Sequence, residues 1–198
     1  MKRQSVLVFG LWFVFVTTMC EADLIEWSVS DGGNDHFYEG VTTGGITWTA
    51  AKAEAEAMGG YLATITSAGE DAFVAALLGD EHYRVNWGPW LGGYQLTGSI
   101  EPDGGWQWVT AEQWNYTNWY PGEPSNGAGN EHYLHYFRNY QGTSWNDASV
   151  DGWPMIGGPP IAYVVEYDIN PIPAPPAVIL GSIGLTFSGW LLRKRKML

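Results

Sequence analysis

The sequence predicts an α+β domain, and three observations carry that reading. Two capped, amphipathic helical stretches come early in the chain. After them no helical period survives, and short apolar runs alternate with loops rich in Gly, Pro and Asn. The single cysteine, Cys20, lies in the N-terminal segment that holds the first apolar stretch, so the folding region is expected to hold without a disulfide.

Taken in order, the segments around Trp27 and from His36 to Val41 read as short strands. In the stretch from Thr47 to Gly60, the residues Trp48, Ala51, Ala55 and Met58 fall on one helical face. Thr47 is placed to cap the start, and Gly59 and Gly60 stop the helix. Tyr61 to Thr66 reads as a buried strand. Ser67-Ala68-Gly69-Glu70 is a capping box, in which hydroxyl and carboxylate each satisfy an orphan N–H. It launches a second helix bearing Phe73, Val74, Ala76, Leu77 and Leu78 and ending near Gly79. Trp90 to Gln95, Trp106 to Val109, Glu131 to Tyr136 and Ala162 to Asp168 are the later strand candidates. There is no internal repeat.

A chain of 198 residues suits one domain plus targeting signals. The net charge is -12, and it is unevenly placed: between Asp23 and Asn170 only Lys52, Arg84 and Arg138 are basic, against every acid but Glu21. So acidic a surface repels phosphate backbones, which argues against nucleic acid as a partner and favours cations or neutral ligands. All but Trp12 and Trp190 of the 12 tryptophans lie between Trp27 and Trp153. Each buries a large area and wants an acceptor for its N–H.

The ends read as addresses. Residues 1–22 form a secretory signal peptide: Lys2 and Arg3, an apolar core from Val6 to Val16, and a small-x-small site at Cys20-Glu21-Ala22. Lipidation at Cys20 is the weaker alternative, because Thr18 and Met19 are not the small residues such a signal needs. Residues 23–170 are the folding domain, and residues 171–198 a Pro-rich linker, an apolar helix from Ala177 to Leu192 and a basic end from Arg193 to Lys196. That helix would be about 24 Å long. This order resembles the PEP-CTERM sorting signal of Gram-negative bacteria, with Ile172 where a glutamate usually stands between the prolines. The resemblance implies export to the cell surface or extracellular matrix, with transient or stable anchoring of the C-terminal helix in the inner membrane. A plain tail anchor is the simpler reading of the same residues.

Oxygen-bearing side chains crowd into two loops: Glu123, Ser125, Asn126, Asn130 and Glu131, then Asn146 and Asp147. Calcium takes six to eight hard oxygen ligands. Glu123, Glu131 and Asp147 together more than neutralise a divalent ion. No cysteine is present for a zinc cage, and the histidines lack metal-ligand spacing. On composition alone the stretch also reads as an ordinary turn region, since Asn, Gly and Ser dominate turns.

From His36 to Asp168 the chain resembles the C-type lectin family. The resemblance rests on the order of the Trp48 helix with Gly59-Gly60, Leu62-Ala63-Thr64-Ile65, Trp90-Leu91-Gly92-Gly93, Trp106-Gln107-Trp108, Trp119, Gly122-Glu123-Pro124, Trp145-Asn146-Asp147 and Tyr163-Val164-Val165-Glu166-Tyr167. It implies a C-type-lectin-like fold, with two helices packed on short antiparallel sheets and long loops. It also implies one Ca2+ site built from Glu123, Ser125, Glu131, Asn146 and Asp147. A sugar's neighbouring hydroxyls would meet the ion there, hydrogen-bonded by Glu123, Ser125, Glu131 and Asn146. The peptide before Pro124 would be cis. Ser125 replaces the family's asparagine with a shorter, weaker ligand; Asn126 is the alternative donor. Glu123 leans the preference toward mannose- or glucose-type sugars. Asn126 and His132 stand where an auxiliary calcium site often has acids. Ala55 and Val165, and Tyr133 and Val150, take the places of the family's two cysteine pairs, as packable core pairs.

The resulting expectation is a calcium-dependent module for carbohydrate or exopolysaccharide. A non-sugar-binding scaffold for protein or matrix is the alternative. An enzyme finds little support: Glu123 and Glu131 share one loop region with a W-N-D partner, which suits ligation better than a glycosidase pair. His36, His82, His132 and His135 read as surface or turn residues.

Overall fold

In a computed structural model of the chain, residues 24–78, 88–127, 129–137, 143–152 and 158–171 are described. The expected signal peptide, Cys20, Gly79, His82 and the apolar C-terminal segment lie outside them. Among the described residues no helix is long and apolar enough to cross a membrane.

The Thr47 side chain accepts from the Ala50 N–H and starts α1 (Trp48–Ala57), whose buried stripe is Trp48, Ala51 and Ala55. Met58 was expected on that stripe but is 37% exposed. It is the C-cap residue, past the last full turn, so it lies at the edge of the packed face, where its sulfur still meets the Tyr163 hydroxyl at 3.8 Å. Gly59 then takes a left-handed φ of 88°. Gly60 passes so close to the last strand that a Cβ would sit 2.5 Å from the Glu166 carbonyl oxygen.

The second helix, α2 (Ala68–Leu77), starts where the capping box put it, with Ser67 Oγ accepting from the Glu70 N–H. The reciprocal arm differs: Glu70 Oε2 takes the N–H of Thr66, one residue further back, at 2.7 Å. The buried face also differs. Val74 and Leu78 are buried as expected, Phe73 is half-buried and Ala76 is exposed. Two acids, Glu70 at 1% and Asp71 at 0% exposure, go inside instead.

Among the described residues, eight strands make one mixed sheet. They are β1 (Ile25–Trp27), β2 (His36–Thr42), β3 (Tyr61–Leu62), β4 (Trp90–Gln95), β5 (Trp106–Trp108), β6 (Tyr133–Tyr136), β7 (Trp145–Ala148) and β8 (Ala162–Tyr167). The path runs β1-β2-β8-β4-β6-β7, with β3 on β8 and β5 on β4. The pairing is antiparallel except at β4 and β8, which meet parallel at Trp90 and Tyr163. Tyr61 to Thr66 forms a strand only at its first two residues, because the Thr64 N–H leaves the ladder for the Glu166 carboxylate at 2.8 Å. Trp145-Asn146-Asp147, read as loop, is strand β7 paired with β6.

Two apolar clusters fill the interior. One gathers Trp106, Trp108 and Trp145 with Leu91, Leu134 and Val74. The other gathers Trp48, Trp90, Leu62, Tyr163, Ala55 and Val165. Ala55 and Val165 are thus buried together, whereas Tyr133 and Val150 are only half-buried.

Between α2 and the sheet sits a polar knot. His36 Nδ1 lies 2.7 Å from Glu166 Oε1, and the Tyr38 hydroxyl donates to Glu70 Oε1 at 2.6 Å while lying 3.1 Å from Glu166 Oε1. Burial pushes the Glu166 carboxyl up, against the opposing hydrogen bonds of His36 and the Thr64 N–H. The hydrogen bond to Glu166 pushes His36 up, more than burial pulls it down. Both directions mean that the knot holds its protons to higher pH than the unfolded chain does. Stability from a raised pKa is fully present below the unfolded value and lost as pH rises through the folded one. The melting temperature of the intact chain in chelator is therefore expected to be higher at about pH 5 than at about pH 8, with a smaller difference in His36→Gln. A melting profile that is flat or rises toward pH 8 would contradict this account of the knot.

Candidate ion and sugar site

The site grows from one loop and one strand. Gly122, with φ of 101°, and the cis Glu123-Pro124 peptide turn the chain at its outer edge. Asn126 adopts φ of 45°, and its Oδ1 accepts the Glu131 N–H at 3.0 Å, closing the loop on itself. Asp147, fully buried on β7, reaches out of the sheet toward this loop. Its Oδ1 accepts from the Ser125 N–H at 3.0 Å and its Oδ2 from the Asn126 N–H at 2.7 Å. The Gly127 N–H donates to Glu131 Oε2.

All five expected site residues belong to this loop or to the strand beneath it. Glu123 is half-buried, Ser125 exposed, and Glu131, Asn146 and Asp147 buried. Two carboxylate oxygens here, Glu123 Oε2 and Glu131 Oε1, are buried without a hydrogen-bond partner. Burial pushes Glu123 up, and Asp147 beside it adds to the rise while the Ser125 hydroxyl and N–H oppose it. Burial likewise pushes Glu131 up, with Asp147 and Glu123 adding and the Gly127 N–H opposing. Donor-less buried carboxylate oxygens are costly unless a positive partner completes them. Their chemistry fits a hard, oxygen-seeking cation.

The fit has a limit. Among the described residues no group of three or more His, Cys, Asp or Glu is arranged to hold a metal. The two oxygens of Asp147 already serve the loop amides. Asn146 is held through its amide nitrogen, which donates to the Asp147 carbonyl at 2.6 Å and lies 3.0 Å from His135 Nε2, bonds that leave the Oδ1 acceptor unengaged. Any ion held here would lean on Glu123, Glu131, the Ser125 hydroxyl and neutral oxygens more than on three free carboxylates.

His135 is a residue whose importance the sequence did not reveal. It was read as a surface or turn histidine and is fully buried. Its Nδ1 sits 2.7 Å from the Tyr136 carbonyl, so that nitrogen carries the proton and Nε2 is left to accept from Asn146. It pairs with Asn146 across β6 and β7, a partner that its own sequence window does not show. His36 and His132 are half-buried, the latter 2.9 Å from Gln95 Oε1.

Residues 45–151 match the family described as the lectin C-type domain. The chain is 32% identical over 106 residues to a perlucin-like protein of Mytilus galloprovincialis, covering 52% of this chain and 62% of that protein. It is 40% identical over 90 residues to perlucin of Haliotis laevigata, covering 44% of this chain and 52% of that protein. The chain therefore spans less than two thirds of the length of these curated relatives. Among solved structures, the cow C-type carbohydrate-recognition domain of CD23 shares the fold. Its TM-score is 0.55 at 23% identity, over 75% of this chain and 95% of that one.

Proposed function

The chain belongs to the lectin C-type domain family, and we propose that it binds carbohydrate through a Ca2+ ion held by Glu123, Ser125, Glu131, Asn146 and Asp147. The observation that carries this reading is the pair of buried, donor-less oxygens on Glu123 and Glu131. Members of the family generally bind Ca2+, and cow CD23 was solved with a mannose-containing oligosaccharide present. When bound, the ion supplies positive charge and open coordination positions for neighbouring sugar hydroxyls. In this reading Glu123 and Glu131 accept from those hydroxyls. Ser125, exposed at the rim, can donate or accept. Asp147 sets the loop's shape through its two amide contacts, and His135 orients the Asn146 amide.

Retention of the intact chain on a glycan array, with calcium and with chelator, tests this reading. Calcium-dependent retention on mannose- or glucose-type glycans is the expected result. Ser125→Asn should strengthen it, since an amide carbonyl reaches further than a hydroxyl. Equal retention in both buffers would overturn the role of calcium, and no retention in either would favour a second reading, a lectin-like scaffold that binds no sugar. That reading is supported by the occupied Asp147 carboxylate and by Ser125.

We further propose export to the cell surface or matrix, anchored through Ala177 to Leu192 at least until processing. The sequence order of Pro-rich linker, apolar run and basic end supports it. Neutralising Arg193 to Lys196 should change the chain's distribution between membrane and medium; an unchanged distribution on cell fractionation would overturn the sorting role.

A further inference from the structure

We propose that Asp71 is a positioning residue that fixes both arms of the candidate ion site from the first turn of α2. Asp71 lies in the first turn of α2 and is fully buried. Its carboxylate receives four side-chain donors from three separate stretches of chain. Oδ1 accepts from the Tyr136 hydroxyl at 2.7 Å and from Trp145 Nε1 at 3.3 Å. Oδ2 accepts from the Tyr116 hydroxyl at 2.9 Å and from Asn118 Nδ2 at 2.7 Å.

Those donors sit at the roots of the site. Trp145 directly precedes Asn146 and Asp147. Tyr116 and Asn118 stand on the segment that leads into Glu123, and the two roots are laced together. The Trp145 N–H donates to the Asn118 carbonyl at 2.8 Å, the Tyr120 N–H to the Trp145 carbonyl at 2.9 Å, and the Glu123 N–H to the Tyr120 carbonyl at 2.8 Å. Asn118 Nδ2 also bonds Thr143 Oγ1 at 2.6 Å, on the way into β7. One carboxylate thus sets the spacing between the arm that carries Glu123 and the arm that carries Asn146 and Asp147.

The chemistry suits a carboxylate and no close substitute. Burial works against the charged form, and the four donors work for it. An asparagine has a single acceptor oxygen and would turn its NH2 against two of the four donors. With those donors unpaired, the two roots are free to part.

The part of this inference that concerns calcium rests on the proposed ion site, and a second readout does not. Outer partners of a metal site typically weigh 10–100-fold in metal affinity. In the intact chain, Asp71→Asn should weaken calcium binding by about tenfold or more in a direct titration. In chelator it should speed backbone hydrogen exchange selectively at residues 116–126 and 145–147, leaving the β2–β8 ladder unchanged. Val74→Ala, from the same buried face of α2, controls for general destabilisation. It should leave calcium binding within about twofold and show no selective exchange. If Asp71→Asn does not fold, Tyr116→Phe removes a single donor and should give the same selective pattern at smaller amplitude. Wild-type calcium affinity in Asp71→Asn, or exchange that rises evenly across the sheet, overturns the proposal. If the wild type itself binds no calcium, the ion reading fails, and the exchange pattern alone decides whether Asp71 holds the loop.

Discussion

Trp90→Ala should cost about 3–5 kcal/mol, as large-to-small changes in well-packed cores do. Trp90 is fully buried on β4, where it packs with Trp48, Leu62 and Tyr163. Its Nε1 donates to the Ile46 carbonyl at 2.8 Å, so truncation leaves a cavity and also an unpaired carbonyl. The indole stands edge-on to His135, with ring centroids 5.6 Å apart, and His135 in turn accepts from Asn146. The loss should therefore reach the site as well as the core. Domains of this size carry only about 5–15 kcal/mol of stability, so the variant should stand near its unfolding threshold. Urea denaturation of the intact chain checks this: the midpoint should fall with the slope unchanged. A loss below about 1 kcal/mol would mean that the interior collapses around the gap, contrary to the packing described.

Calcium should raise the melting temperature of the wild type, and Asp147→Ala should abolish that effect. The unfolded chain cannot bring Glu123, Glu131 and Asp147 together, so binding favours the native state by about 2.7 kcal/mol at a hundredfold excess over Kd. With Ser125 as a weak ligand and Asp147 partly committed, a Kd of about 0.1–1 mM is expected, in the range of extracellular modules. Removing the Asp147 carboxylate frees the Ser125 and Asn126 N–H groups together, and hydrogen bonds to charged groups are worth about 1.5–3 kcal/mol each. The loop should then lose its shape with or without the ion. Melts in chelator and in millimolar calcium, for wild type and variant, separate these effects. Superimposable wild-type melts, with no calcium found by titration, would remove the ion and leave the scaffold reading.

Much of this was legible from local chemistry. Thr47 and Ser67 mark helix starts because a short hydroxyl side chain can reach an N–H three residues on, whatever surrounds it. Alternation in Trp106-Gln107-Trp108 needs only a sheet with one buried face, and both indoles are buried while the glutamine is not. Gly122-Glu123-Pro124 and Trp145-Asn146-Asp147 placed the candidate site through family resemblance, and both motifs come together in space. What the sequence did not settle was which polar groups would be buried, because that depends on partners far along the chain. Glu70, Asp71, His135 and Glu166 look like surface residues when read in their own windows. Each goes inside because donors or acceptors arrive from elsewhere: Tyr38 to Glu70, Tyr136 and Trp145 to Asp71, Asn146 to His135, Thr64 to Glu166. A buried charge survives only where its hydrogen bonds are supplied, and that supply is a property of the assembled sheet and not of any segment.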